Sequence, residues 1–168
     1  MMNSLFEQYQ LVWHSLWEMP SGASFVAIAV AMLVGIVAVV LHEIGHWGAA
    51  RRFGVTGRIG FFTRRGVSRL WFLSVMGVRF EDADYLSMSR WQRRVVAASG
   101  PLVDLAFGLL CLYAGLEVPG PAWLSTGIAL LGVIYIPCSA LNIVPLPIKN
   151  DGWLVCWPEA ASRPHSVK

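Results

Sequence analysis

Leu41-His42-Glu43-Ile44-Gly45-His46, near the end of an apolar run that begins around Ser24, decides how the rest of the chain reads. His42 and His46 lie four apart, so on a helix they point from one face. Two neutral imidazoles at that spacing can hold one divalent metal, and zinc accepts nitrogen ligands readily in a tetrahedral set. Glu43 is offset around the helix. It is near enough to take a proton from a water beside the metal without being a ligand itself. The bland alternative is three polar core residues that happen to fall together. At membrane depth, three ionisable side chains without a role are costly, so the metal-binding reading is preferred.

The composition supports that depth. Of 168 residues, 56% are hydrophobic and only 14% charged, too apolar for an ordinary soluble domain. An integral membrane protein with one compact domain is expected. Ten of the 13 Lys and Arg residues lie between Arg51 and Arg94, and none precedes Arg51. By the positive-inside rule that segment is cytoplasmic and the N-terminus outside, in a multi-pass cell-membrane protein. The basic segment lies between two spans, so topology and anionic lipid explain it better than nucleic acid. Cys111, Cys138 and Cys156 show no paired spacing and read as small apolar residues. The 4 histidines are too few for a di-iron membrane oxidase. The first twenty residues carry Glu7 and Glu18 without Lys or Arg, which argues against a secretory signal.

Outward from the motif, Leu5, Phe6, Tyr9, Val12, Trp13, Leu16 and Trp17 have the spacing of an amphipathic helix on the outer surface, or otherwise of a loose N-terminus, over residues 1–22. The first span runs from about Ser24 to Ala50, roughly 40 Å of helix, with His46 about 8 Å from its basic end. Gly45 and Gly48 leave room for another helix. Arg58 to Thr63 and Leu70 to Phe80 read as short strands forming a small β-hairpin, and Glu81-Asp82-Ala83-Asp84 as a solvated turn. The insertion is too short for a separate peptide-binding domain. A second span runs from Val95 to about Leu116 and contains Ser99-Gly100-Pro101 and Asp104. A third runs from Ala122 to about Val144, with Pro137 as a possible kink site. Pro145 and Pro147 forbid regular helix beyond it. Irregular backbone at that depth must be buried in protein or line water, so residues 142–152 are expected to re-enter against the metal site. Trp13, Trp17 and Trp123 fall at one proposed surface and Trp91, Trp153 and Trp157 at the other, as aromatic belts do. The fold class is therefore mainly α: a polytopic membrane protein of three transmembrane helices, a small hairpin insertion and a re-entrant proline-rich loop. Residues 23–157 form the core and 158–168 a cytoplasmic tail.

A catalytic zinc commonly has three protein ligands and a water. Glu117 lies on the wrong side and Glu159 in the tail. Spacing does not decide between Asp104 and Asp151, although a loop carboxylate followed by Gly152 can bend towards the histidines. The third ligand stays open on these grounds.

The chain resembles the site-2 protease family of intramembrane zinc metalloproteases. The resemblance runs from about Leu33 to Trp153 and rests on His42-Glu43-x-x-His46, Ala98-Ser99-Gly100-Pro101, and Asn142-x-x-Pro145 leading to Asp151-Gly152. It implies one zinc per chain held by His42, His46 and Asp151, with Glu43 as general base. It further implies that Asn142 steadies the substrate or an oxyanion. Asp104 departs from the family pattern, which usually has asparagine there; a protonated Asp104 could make the same hydrogen bonds. The implied activity is hydrolysis of a peptide bond in or near a substrate's transmembrane helix. Expected partners are a transmembrane protein substrate and the lipid bilayer, with a homo-oligomer or regulatory membrane partner also conceivable. Two alternatives are a zinc protease with a downstream glutamate ligand, and a membrane zinc-binding, transport or chaperone-like protein without protease activity.

Overall fold

The computed structural model describes residues 4–62, 75–146 and 150–159. In chain order these form α1 (Leu5–Glu18), α2 (Ser21–Arg52), β1 (Gly57–Phe62), β2 (Val75–Phe80), α3 (Asp82–Ser87), α4 (Arg90–Glu117), α5 (Ala122–Ile143) and α6 (Asp151–Cys156). Three of them, α2, α4 and α5, are long and apolar enough to cross a membrane. From Phe25 to Leu41 α2 is apolar all round, and it leaves Phe25, Met32, Leu33 and Ile36 more than half exposed. Such a surface belongs against hydrocarbon. The expected spans are each present, with α2 and α4 extending a few residues beyond the apolar runs.

The chain divides into two compact units. The first comprises Met1–Ala38 and Asp104–Ala140. Here α1 begins with a capping box: Ser4 Oγ accepts from Glu7 N–H, and Glu7 Oε2 accepts from Ser4 N–H at 2.8 Å. Its Val12 and Leu16 face is buried while Trp13 and Trp17 stay exposed, the two-sidedness read from the sequence. Ser24 Oγ donates to the Leu16 carbonyl at 2.9 Å, closing the corner into α2. Val12, Leu16, Ala27, Ala31, Leu112, Ala129, Leu130 and Ile136 form the core. Small residues bring the helices close: a Cβ at Gly132 would lie 2.6 Å from the Gly108 carbonyl. Tyr135 Oη donates to the Gly35 carbonyl at 3.0 Å, so its hydroxyl is satisfied among apolar neighbours.

The second unit comprises Val39–Val103 and Leu141–Lys168. α2 ends at Arg52, and Gly54 takes φ +80, the left-handed conformation that glycine adopts without penalty. The chain then turns into β1, which pairs antiparallel with β2 from Gly57↔Phe80 to Phe62↔Val75. The expected hairpin is present; Thr63 to Ser74, which would join its strands, lies outside the described residues. Trp47 Nε1 donates to the Gly57 carbonyl at 3.1 Å and ties the hairpin to α2. Ala50, Val55, Met88 and Val96 make the local core, with Phe80 and Tyr85 packed against it.

The acidic stretch expected as a solvated turn instead opens α3, with Glu81 at its N-cap. Tyr85 stacks on Phe80 with ring centroids 5.8 Å apart, and Met88 is buried. That packing draws Asp82 to Ser87 into a helical turn, because tertiary contacts outweigh weak local propensity. α4 then starts from a second capping box: Gln92 Oε1 accepts from Ser89 N–H at 2.8 Å, and Ser89 Oγ from Gln92 N–H at 3.3 Å. α4 and α5 continue through Pro101 and Pro137. Gly45 does admit a neighbour, since a Cβ there would lie 2.9 Å from the Ser99 carbonyl, whereas Gly48 has nothing within 4 Å. Pro158 is buried and Glu159 pairs with Arg90 at 2.7 Å, so the first residues of the expected tail are packed.

Candidate metal centre

α2 places His42 and His46 one turn apart, and their Nε2 atoms approach to 3.0 Å. His46 Nδ1 lies 2.6 Å from the Val96 carbonyl of α4. A carbonyl can only accept, so Nδ1 carries the proton and Nε2 presents its lone pair to His42. Asp151, the first residue of α6, comes to the same place: Oδ2 is 3.3 Å from His42 Nε2 and Oδ1 is 3.5 Å from His46 Nε2. The side chains of His42, His46 and Asp151 are only 15, 12 and 19% exposed. Burial pushes the Asp151 carboxyl up, but the two imidazoles beside it outweigh this and hold it well below the usual carboxylate range.

Asp151 is brought there by the asparagines beside it. Asn142, near the end of α5, donates from Nδ2 to Asp151 Oδ2 at 2.7 Å. Asn150 caps α6, its Oδ1 accepting from Trp153 N–H and from Leu146 N–H, each at 3.1 Å. Its Nδ2 donates to the Val144 carbonyl at 2.8 Å and the Asn142 carbonyl at 3.0 Å. One side chain thus closes the chain ends on either side of Pro147 to Lys149, which lie outside the described residues. The expected re-entry of residues 142–152 falls in part on these residues and so lies outside what the structure describes. Gly152 is buried, and a Cβ there would collide with the Ile143 carbonyl. The glycine after Asp151 serves a close approach of α6 to the end of α5.

Glu43 lies beside the histidines, close to the Val78 backbone of β2. Both line a cavity of about 590 Å³ together with His42, His46, Asp151 and Asn142. Gly77 to Phe80 form one wall of it. The backbone of α4 is close to both histidines: a Cβ at Gly100 would collide with the His46 ring and lie 2.8 Å from His42 Cε1.

The donor set fits a divalent metal. His42, His46 and Asp151 each offer one ligand atom, all within 4.8 Å of one another. Two imidazole nitrogens and a carboxylate suit zinc, and the Val96 carbonyl supplies the second-layer hydrogen bond that fixes the His46 tautomer. Asp104 belongs to the first unit and is not in this group. The sequence named His42, Glu43, His46, Asn142 and Asp151, and the fold brings them to one cavity. It missed Asn150, Val96 and Val78. Asn150 was detectable, because asparagine before Asp-Gly is a favourable N-cap; the other two act through backbone atoms, whose position no side-chain pattern reveals.

Residues 28–137 match Peptidase family M50. The chain is 31% identical to "Putative zinc metalloprotease Rip2" of Mycobacterium tuberculosis, over 84% of this chain and 60% of that protein. It is 27% identical to "Putative zinc metalloprotease sll0528" of Synechocystis sp., over 82% of this chain and 33% of that protein. The chain thus spans less than two thirds of the length of these relatives. No solved structure matches it. The match covers most of the chain and includes the helix that carries His42, Glu43 and His46, and the three apolar helices make this a multi-pass membrane protein: the chain belongs to peptidase family M50, the site-2 protease family.

Proposed function

We propose that the chain is an intramembrane zinc metalloendopeptidase that hydrolyses a peptide bond within or near a substrate's transmembrane helix. The observation that carries this reading is the convergence of His42, His46 and Asp151 beside Glu43 in one cavity. His42, His46 and Asp151 would hold zinc, which when bound supplies Lewis acidity to a carbonyl and lowers the pKa of water. Glu43 takes a proton from the attacking water and returns it to the leaving amine nitrogen. The Val78 N–H, close to the Glu43 carboxylate, would orient it for that transfer. Asn142 acts on Asp151 through its 2.7 Å hydrogen bond and so positions a ligand; the second N–H of the same amide would be the one to support an oxyanion.

A helical amide is shielded by its neighbours, so the substrate must unwind before it reacts. β2 pairs with β1 on one side, and among the described residues no strand covers its other edge. Gly77 to Phe80 of β2 line the cavity, which suits addition of an extended substrate segment. The arginine distribution supports an N-terminus outside and a cytoplasmic 51–94 segment and C-terminus.

The test is Glu43→Gln with a reporter transmembrane segment in detergent. The variant should keep zinc and lose cleavage by at least about a hundredfold, the scale of a missing general base. Cleavage at the parent rate would remove Glu43 from the chemistry. A zinc-loaded parent that cleaves no such segment would favour a binding or chaperone-like role.

A further inference from the structure

Three arginines open α4, and they meet different surroundings. Arg90 pairs through Nε with Glu159 Oε1 at 2.7 Å. The Arg93 guanidinium sits over the Tyr85 ring, 5.8 Å from its centroid. Arg94 has neither kind of partner among the described residues and lines a separate groove. That groove has a volume of about 600 Å³. One wall is the face of α4 formed by Trp91, Arg94, Val95 and Ala98, spaced as neighbours along one side of a helix. The other wall is the end of α6, Val155 to Trp157. Trp91 and Trp157 are 70% and 48% exposed.

We infer that this groove binds an anionic phospholipid. Its lining is apolar and aromatic, with one cation at the start of a helix long enough to cross a membrane. That is the depth at which headgroups meet acyl chains, and where indole rings settle. A phosphate diester fits the fork of Arg94 by two parallel hydrogen bonds. An acyl chain covers Val95, Ala98 and the tryptophan faces. A soluble anion would satisfy the arginine and leave the apolar wall wet. A zwitterionic lipid would fill the wall but carries its own cation beside the phosphate, which weakens the attraction to Arg94. The bound lipid joins α4 to α6, and α6 begins at Asp151. Occupancy therefore steadies the Asp151 carboxylate, a consequence that rests on the metal-ligand role proposed above; the lipid site itself does not.

The experiment is native mass spectrometry of the full chain released from vesicles containing equal amounts of phosphatidylglycerol and phosphatidylcholine with matched chains. The expected result is preferential retention of phosphatidylglycerol. Arg94→Gln should reduce that preference about tenfold, the effect of losing one charged hydrogen-bonding partner. Arg94→Lys should keep part of it, and Ala98→Trp, which fills the groove, should abolish retention of both lipids. In the unmodified protein the preference should fall with added salt, which tests the charge without any substitution. Equal retention of the two lipids overturns the inference, as does undiminished phosphatidylglycerol retention by Arg94→Gln. Displacement of the lipid by millimolar inorganic phosphate would also overturn it, by showing a soluble-anion site. Retention is read without cleavage or metal, so failure of the protease reading leaves this result intact.

Discussion

The Asn142 side-chain amide donates to Asp151 Oδ2 at 2.7 Å, joining the end of α5 to the first residue of α6. Outer-layer partners of this kind orient a metal ligand, and removing one typically costs about 10–100-fold in metal affinity. Asn142→Ala should therefore weaken zinc binding on that scale, measured by competition with a chromophoric chelator. Cleavage at saturating zinc should recover substantially. If zinc affinity stays at the parent value while cleavage falls, Asn142 acts on the substrate instead.

Asn150 makes a different prediction, about stability. Its Oδ1 caps α6 and its Nδ2 holds the carbonyls of Asn142 and Val144. Loss of an N-cap costs about 1 kcal/mol, and each carbonyl left without a partner adds to that. Asn150→Ala should lower the detergent melting temperature and speed proteolysis near Pro145. Asn150→Asp keeps the capping oxygen but loses the amide donor, so it should fall between the parent and the alanine variant. Parent-like melting and proteolysis in both variants would remove Asn150 from the closure of the loop.

The legible part of this fold was the periodic part. His42 and His46 could be paired because helical spacing fixes which side chains share a face, and the three spans because a long apolar run has few other solutions. The hairpin followed from short segments rich in β-branched and aromatic residues between glycines. What stayed hidden depended on the path of the backbone. Asn142 and Asp151 are nine residues apart across a proline-rich loop, and no periodicity says that their side chains meet. The choice between Asp104 and Asp151 was left open for the same reason. Glu81 to Asp84 looked like a turn because four small or acidic residues carry the same composition in either state. The signal for α3 lay downstream, in Tyr85 and Met88, whose burial depends on Phe80 and Val96.

Val78 of β2 lines the cavity with Glu43, and its backbone N–H is near enough to steady the Glu43 carboxylate. Proline is tolerated on a sheet edge but removes that donor. Val78→Pro should lower cleavage about tenfold, the scale of one hydrogen bond to a charged group, with zinc content unchanged by elemental analysis. A larger loss for long substrates than for short peptides would place part of the effect on substrate pairing with the strand. Parent-like cleavage would mean that neither the orientation of Glu43 nor strand addition depends on this N–H.

Gly100 packs so closely against the histidines that any side chain there must displace them. An alanine Cβ would collide with the His46 ring and lie 2.8 Å from His42 Cε1, and the helix backbone of α4 cannot yield as a flexible side chain could. Overpacking of this kind costs about 1–3 kcal/mol. Since the displaced groups are the imidazoles, the cost should appear as roughly tenfold weaker zinc binding and a matching loss of cleavage at limiting zinc. Gly48→Ala is the control, because it lies on α2 two residues beyond His46 and a Cβ there has nothing within 4 Å. In a helix interior, alanine in place of glycine is stabilising by about 0.5–1 kcal/mol, so this variant should melt slightly higher and bind zinc as the parent does. Equal zinc affinities in the Gly100 and Gly48 variants would show that the imidazoles are not held by the approach of α4.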